Sequence, residues 1–551
     1  MPLLPAAAAD RRKIALLIAA TAFFVADTAA VVSGSFGPGA HDAGPRVVEA
    51  PYVPPTTIGP PATVPMTTTT AMATTTTNRA ARTGGSPVVG AAAPTSSAGA
   101  APAAPAPPDL SVCPDRACLV LDATALTGGV DHAGAGVNIL PSSNADASRL
   151  RALGTTMYRS VPAVDSLGQF DWTSWDAAVA AGTPTTLVLS DLWAQTHRGG
   201  PPPTPWSNWN NYTNWVTATV QRIVATGQTV NYWDVYNEPG WSGYYSAADY
   251  SSMTPADLLQ QFLVTYQAVK SVDPGAAIVG PSLGLMAFSP IAPNATTREP
   301  DMTTFLDFAA AHHLQLAAVA WHDNGQPPWM LRTDAAGVWS LIRSLPALGS
   351  PRMFLDEYGS QRTQPLPGWD VGYLALITDA GIGSAVRSCW DGCTLPTLDG
   401  LLTGAGQTTS EYFVRTTYAR MSGAMIRTQS NNRYFAALGS ISSSGRQVVA
   451  LVGRLEGCGV ESWCQTNWWP GSHAPPPAPV RISVVLPWST PGVGVQLSYE
   501  PFQPGAASSG PLAAAPQQLS VTPDGPGREI ATFTIPTFAD GSAYDVIVDQ
   551  G

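Results

Sequence analysis

Val230-Asn231-Tyr232-Trp233-Asp234-Val235-Tyr236-Asn237-Glu238-Pro239-Gly240-Trp241 is the stretch on which the fold of this chain is decided. Its first half is apolar and aromatic enough for a buried strand. Asn-Glu-Pro-Gly ends it, because proline and glycine cannot continue the ladder. Glu238 is therefore held at the C-terminal end of a strand. Asn-Glu-Pro alone is weak, with about a one-in-fifteen chance of arising somewhere in a chain this long at equal residue frequencies. A second stretch, Arg352-Met353-Phe354-Leu355-Asp356-Glu357-Tyr358-Gly359, repeats the pattern of an apolar run closing on an acid and then a glycine. The distance between them leaves room for about three strand–helix units at ~30 residues or more each, so they fit strands four and seven of a barrel.

Outward from these two stretches, buried-strand runs alternate with amphipathic helices from about Leu110 to Gly423. The strands are expected at 136–139, 155–159, 185–189, around Trp233, at 276–279, 316–321, 353–356 and 384–389, with helices at 211–225, 255–272 and 409–421. Eight short apolar strands interleaved with helices are what a (β/α)8 TIM barrel requires. After Gly423 the period changes to short runs separated by Gly, Pro and Ser, at 434–441, 447–452, 480–486, 495–499, 530–535 and 544–548. Those runs predict a C-terminal antiparallel β-sandwich domain.

On these residues the chain resembles glycoside hydrolase clan A, the retaining (β/α)8-barrel glycosidases, and within it is most similar to the β-xylosidase and α-L-iduronidase family. The resemblance implies that Glu238 is the general acid/base and Glu357 the nucleophile. Their side chains would then face each other across a sugar at the barrel mouth. It implies further that Arg159 sits beside the nucleophile and that Asn237 holds the sugar 2-hydroxyl. His322 and Trp390 would contact substrate from the ends of strands six and eight, and Tyr358 would follow the nucleophile as a site aromatic. Asn138, Trp193 and His197, at the ends of strands one and three, are further candidates.

An acid/base must stay protonated near neutral pH, and Trp233, Tyr236 and Trp241 are expected to supply the apolar setting that raises its proton affinity. Alternation along a strand sends neighbouring side chains to opposite faces, so only one of Asp356 and Glu357 is expected to reach the mouth. Asp234 lies deeper in its strand and is expected to pair inside the barrel. His312 and His313 are expected at a helix end, facing solvent or a cap. The Asp-Asn-Gly-Gln that follows Trp321-His322 departs from the aromatic-rich continuation the resemblance implies.

The rest of the chain bounds the setting. With 551 residues, 45% hydrophobic and 12% charged, it can bury a large core and exceeds a single domain. A net charge of −11 excludes the basic face that a nucleic-acid partner would need. Arg11-Arg12-Lys13 followed by an apolar run from Ile14 to Ala26 reads as an export signal within residues 1–32. An uncleaved membrane anchor is the competing reading. Residues 33–108, rich in Pro, Thr and Ala, have too few large apolar side chains to offset ordering and read as a disordered tether. The barrel is then expected over 109–425 and the β-domain over 426–551.

The six cysteines form three local pairs, Cys113 with Cys118, Cys389 with Cys393 and Cys458 with Cys464, which in an exported chain read as disulfides. Zinc is disfavoured because no histidine stands at ligand spacing from them, and no metal or cofactor is expected. Trp463, Trp468 and Trp469 form either a sugar-binding loop or interdomain packing. The sequence thus points to a secreted or surface-anchored glycosidase acting on a carbohydrate. A non-catalytic carbohydrate-binding protein on a degenerate barrel and a transglycosylase stand as alternatives.

Overall fold

In the computed structural model, the described residues are 117–138, 146–165, 168–196, 204–240, 247–284, 298–324, 328–359, 366–388, 397–455, 477–488, 495–502, 517–519, 521–523 and 527–550. The segments expected to be an export signal and a tether lie outside them, as does the Trp-rich stretch around Trp463, Trp468 and Trp469. So do all the cysteines but Cys118.

Eight parallel strands close into a barrel in chain order. They are Gly136–Val137, Tyr158–Ser160, Thr185–Val188, Tyr232–Asp234, Ile278–Leu283, Leu316–Asn324, Arg352–Gly359 and Ser384–Arg387, and the ring closes where Val386 pairs with Gly136. Each expected strand is present, and the helix expected at 255–272 runs Pro255–Val272. Its start follows from local chemistry: Thr254 accepts from the Asp257 N–H while the Asp257 carboxylate caps the Thr254 N–H, with Pro255 at the first turn.

The barrel interior is built in layers. Met157, Val279, Ala318, Ala320, Phe354 and Val386 pack together as an apolar floor, with Tyr232 against it. Strand side chains repeat every second residue, so the positions two further on are Arg159, Asp234, His322, Asp356 and Ser388. A polar layer therefore rests on an apolar one. The alternate positions, among them Val137, Tyr158, Leu187, Trp233, Val319, Trp321 and Leu355, join the large core between barrel and helices. Val137 pairs with Tyr158 and both lie in that outer core. Asn138 therefore faces inward beside Arg159.

The β-domain is one ten-stranded, mostly antiparallel sheet whose ends curl toward each other around a single apolar core. The chain divides differently from the sequence expectation. Cys118–Gly129, assigned to the barrel domain from sequence, is a central strand of this sheet. It pairs antiparallel with Ala424–Ser430 and parallel with Ala478–Leu486. The first strand of the β-domain thus precedes the barrel, and such a long-range pairing leaves no local trace in the sequence.

The two parts share a seam along Pro367–Asp379, a helix buried on nearly every side, as an all-round apolar helix must be. At Gly368 the backbones touch: its N–H donates to the Gly541 carbonyl at 2.8 Å, and a Cβ there would lie 2.1 Å from the Arg454 carbonyl oxygen. Beneath it Asp370 accepts from both Arg387 and Arg415 at 2.6 Å. The two guanidinium groups hold its carboxyl below the usual range despite burial, which acts the other way.

Candidate active site

Arg159 is the hub of the polar layer. It is 2% exposed and donates to Asp234 at 2.9 Å, to Glu357 Oε1 at 3.2 Å and to Asn237 Oδ1 at 2.9 Å. Asp356 lies 3.7 Å from it. Ser282 Oγ bridges Asp234 and Asp356 at 2.8 and 2.7 Å. Burial pushes Asp234 up to about 7, against the pull of Arg159, so below that pH this acid holds a proton. One guanidinium thus sits among three buried carboxylates, and the bond from Arg159 fixes which end of the Asn237 amide is its oxygen.

Glu357 reaches this hub through a β-bulge. The pairing register of its strand shifts between Leu355 and Glu357 on one side and between Leu355 and Tyr358 on the other. A bulge breaks alternation locally. Asp356 and Glu357 consequently both face inward, Asp356 beneath and Glu357 above, and the expectation that only one of them could do so is corrected. Asn324 Nδ2 donates to Glu357 Oε2 at 2.8 Å, and Ser388 Oγ holds the Asn324 carbonyl at 2.6 Å.

Glu238 stands on a strained turn with φ +45°, in the left-handed region that non-glycine residues rarely adopt. Its N–H donates to the Ser282 carbonyl at 3.1 Å, and its side chain, 28% exposed, bonds His322 Nδ1 at 2.9 Å. The same Nδ1 is 3.6 Å from Glu357 Oε2. With carboxylates on both sides, Nδ1 is the nitrogen that carries hydrogen. His322 Nε2 is buried without a partner. Oxygens of Glu238 and Glu357 lie within 4.8 Å of one another, with the imidazole nitrogen between them. These three side chains are also the one such group among the described residues whose spacing suits a cation. Arg159 already sets a fixed positive charge at Glu357, which favours the hydrogen-bonded arrangement.

The proton affinities differ from the sequence expectation. Burial alone would raise Glu238, but the His322 hydrogen bond and charge, with Arg159 behind, bring it below the ordinary value. Burial raises Glu357, and His322 and Arg159 offset this only in part. His322 gains what Glu238 loses: burial disfavours its charge, but the two glutamates carry it up to about 9. The resting proton therefore sits on the imidazole. Trp233 and Tyr236 are packed in the outer core and supply no apolar setting for Glu238.

Of the residues singled out from sequence, Arg159, Asn237, Glu238, His322 and Glu357 converge, and Asn138 lies at the same level. Asn138 is 2% exposed, and neither end of its amide has a partner. Tyr358 does not join them. Past the bulge its side chain leaves the barrel, donates to the Gly134 carbonyl at 2.6 Å and packs on Tyr373 beside Arg415. Trp193 is core, edge-on to Tyr212 and Trp215. His312 and His313 are exposed at the end of a helix, as expected. Trp241, Trp390 and His197 lie outside the described residues.

Four site residues escaped the sequence reading. Asn324 is one alternation beyond His322 on the same strand, a signal that could have found it. Asp356 was hidden by the bulge. Asp191, just past the third strand, is half-buried and pushed up to about 6, by burial first and by Glu357 and Glu238, against the pull of Arg159. Glu299 reaches the mouth from just before the helix Met302–Ala311. It accepts from the N–H of Gly240 at 3.0 Å and of Gly284 at 3.5 Å.

A closed parallel barrel with a β-domain packed on its flank and acids gathered at the C-terminal strand ends is a (β/α)8 TIM barrel of two parts. No protein-family model matches the chain, and no curated protein matches it in sequence. Among solved structures it is similar to N2152 from Neocallimastix frontalis, at 17% identity and TM-score 0.61, over 79% of this chain and 100% of that one. It is similar also to a glucosidase from Croceicoccus marinus, at 13% and 0.55 over 79% and 99%. A monomeric β-xylosidase from Caulobacter crescentus matches at 14% and 0.54 over 78% and 99%. The likeness to these structures is thus one of three-dimensional fold, at low sequence identity.

Proposed function

We propose that this protein is an exported or surface-tethered retaining glycoside hydrolase that cleaves a poly- or oligosaccharide by double displacement. Glu357 is the nucleophile and Glu238 the acid/base. The observation that carries the reading is the approach of the two carboxylates to within 4.8 Å. Retaining enzymes hold the pair about 5–5.5 Å apart, and inverting ones leave about 6.5–9.5 Å for a water.

Glu357 attacks the anomeric carbon while Arg159 and Asn324 hold its two oxygens in line. Glu238 passes a proton to the departing oxygen and draws on the Nδ1 proton of His322. Once Glu357 is esterified its charge is gone, which lowers the proton affinity of both His322 and Glu238. Glu238 then takes a proton from the incoming water. Asn237 and the unpartnered amide of Asn138 are donors and acceptors for sugar hydroxyls, since a buried amide left unmatched costs about 1–3 kcal/mol.

A glucosidase and a β-xylosidase among the structural neighbours make aryl glucosides and xylosides the first substrates to assay. Glu357→Ala should abolish turnover, and azide should restore Glu238→Ala on substrates with good leaving groups. A 2-fluoro glycoside should add one sugar mass to the peptide bearing Glu357. Full activity in either variant refutes the assignment. Sugar binding without covalent trapping favours the non-catalytic binder instead.

A further inference from the structure

Glu299 has no part in the two-carboxylate scheme, yet it meets the site at the strained turn that carries Glu238. It stands fifteen residues after Gly284 and two before Asp301, which caps the helix Met302–Ala311. From there its Oε1 takes the N–H of Gly240, two residues past Glu238, and the N–H of Gly284, the first residue beyond strand five. Gly284 in turn lies against Glu238: a Cβ there would be 3.5 Å from Glu238 Cγ and 3.6 Å from Oε1. Glu238, at φ +45°, is therefore held from both sides, by its own N–H on the Ser282 carbonyl and by the Gly240 N–H on Glu299.

Building on the proposed glycosidase mechanism, we propose that Glu299 is a positioning residue for the acid/base. Its carboxylate clamps the turn after strand four to the end of strand five, and so keeps Glu238 aimed at His322 and at the leaving-group oxygen. Two things favour a carboxylate here. A single oxygen receives two backbone N–H groups, and hydrogen bonds to an ionised acceptor are the stronger kind. The cost of holding the charge is visible: burial pushes Glu299 up to about 7, and the charge of Glu238 adds to this against the two N–H bonds. Facing the pair are His322, Arg159, Glu357, Asn324 and Asp191 from the barrel side, and Arg298 and Tyr250 from the outer side.

A clamp on the acid/base makes a signature that general loosening of the fold does not. Protonic assistance matters for a poor leaving group and little for a good one. Glu299→Ala should cut kcat/KM for a phenyl glycoside by about tenfold or more, the loss expected from a charge-assisted hydrogen bond. The 2,4-dinitrophenyl glycoside should be nearly unaffected. Glu299→Gln keeps an oxygen acceptor for Gly240 while removing the charge, so it should recover part of the phenyl-glycoside rate and move the alkaline limb of the pH profile downward. Glu299→Asp, one methylene short of the clamp, should behave like the alanine variant, and it reads the same effect if alanine fails to fold.

Equal losses on both leaving groups, no loss on either, or a glutamine variant no better than alanine would overturn the clamp. The parent reading has its own control. If Glu238→Ala shows no leaving-group dependence and no azide rescue, the acid/base assignment falls, whereas a normal Glu238→Ala beside a flat Glu299 series removes only the role of Glu299.

Discussion

Replacing Arg159 by methionine removes the guanidinium that faces Asp234, Asp356 and Glu357 while keeping much of its volume. The wild-type side chain is 2% exposed and touches the three carboxylates at 2.9, 3.7 and 3.2 Å, with Asn237 Oδ1 at 2.9 Å. Breaking a buried ion pair from one side costs about 3–5 kcal/mol, because the partner charge is left uncompensated. With three acids sharing one cation, the loss at pH 8 belongs at the upper end of that range.

Acid should return part of it, and the sign follows from Asp234. Its folded-state value is raised to about 7, well above the ordinary carboxylate value. The folded state is therefore favoured most below the unfolded value, and this advantage is lost as pH climbs through 7. Without Arg159 the acids hold protons more tightly still, so the deficit of Arg159→Met against wild type should shrink from pH 8 to pH 5. Urea denaturation midpoints of both proteins at the two pH values measure this, with Arg159→Lys as the variant that keeps charge without the fork. A deficit that is the same at both pH values, or none at pH 8, would refute the view that charge compensation holds this layer together.

Four further outcomes are expected. Asn324→Asp sets a like charge against Glu357 Oε2, where a 2.8 Å donor now stands; kcat/KM should fall by about 10- to 150-fold, the worth of a hydrogen bond to a charged group, with the thermal midpoint little changed. His322 keeps its proton up to about 9, so the alkaline limb of kcat/KM should fall through that region in wild type and move in His322→Gln. Gly368→Ala forces a methyl to 2.1 Å from the Arg454 carbonyl at the seam; calorimetry should show the transition moving down or splitting in two. Glu411 is fully buried and pushed up to about 8, chiefly by burial; its favourable contribution is present below about 4.5 and lost as pH rises through 8, so Glu411→Gln should raise the denaturation midpoint at pH 9 and leave it nearly unchanged at pH 5.

Local pattern carried the barrel because each of its strands is a short apolar run bounded by its own turn. Pro255–Val272 was legible to the residue for the same reason, since Thr254, Pro255 and Asp257 are neighbours that define a helix start unaided. Cys118–Gly129 was not, because its partners stand about 300 residues away at Ala424–Ser430 and further still at Ala478–Leu486. Tyr358 was misplaced because its site role came from the resemblance, whereas alternation past an inward Glu357 sends it outward to the Gly134 carbonyl; the bulge misled only the reading of Asp356.

That Glu238, Glu357, Arg159, Asn237 and His322 converge was legible in the sequence itself. Each lies at or just past the C-terminal end of a barrel strand, and a parallel barrel gathers all its strand ends at one mouth whatever the loops do. The tertiary structure alone decided where the proton rests, that Asp356 lies beneath Glu357, and that Asp191 and Glu299 enter the site. Those features depend on distances of about 3 Å between groups far apart in the chain, and on burial, which sets proton affinity through the surroundings of a side chain rather than its identity.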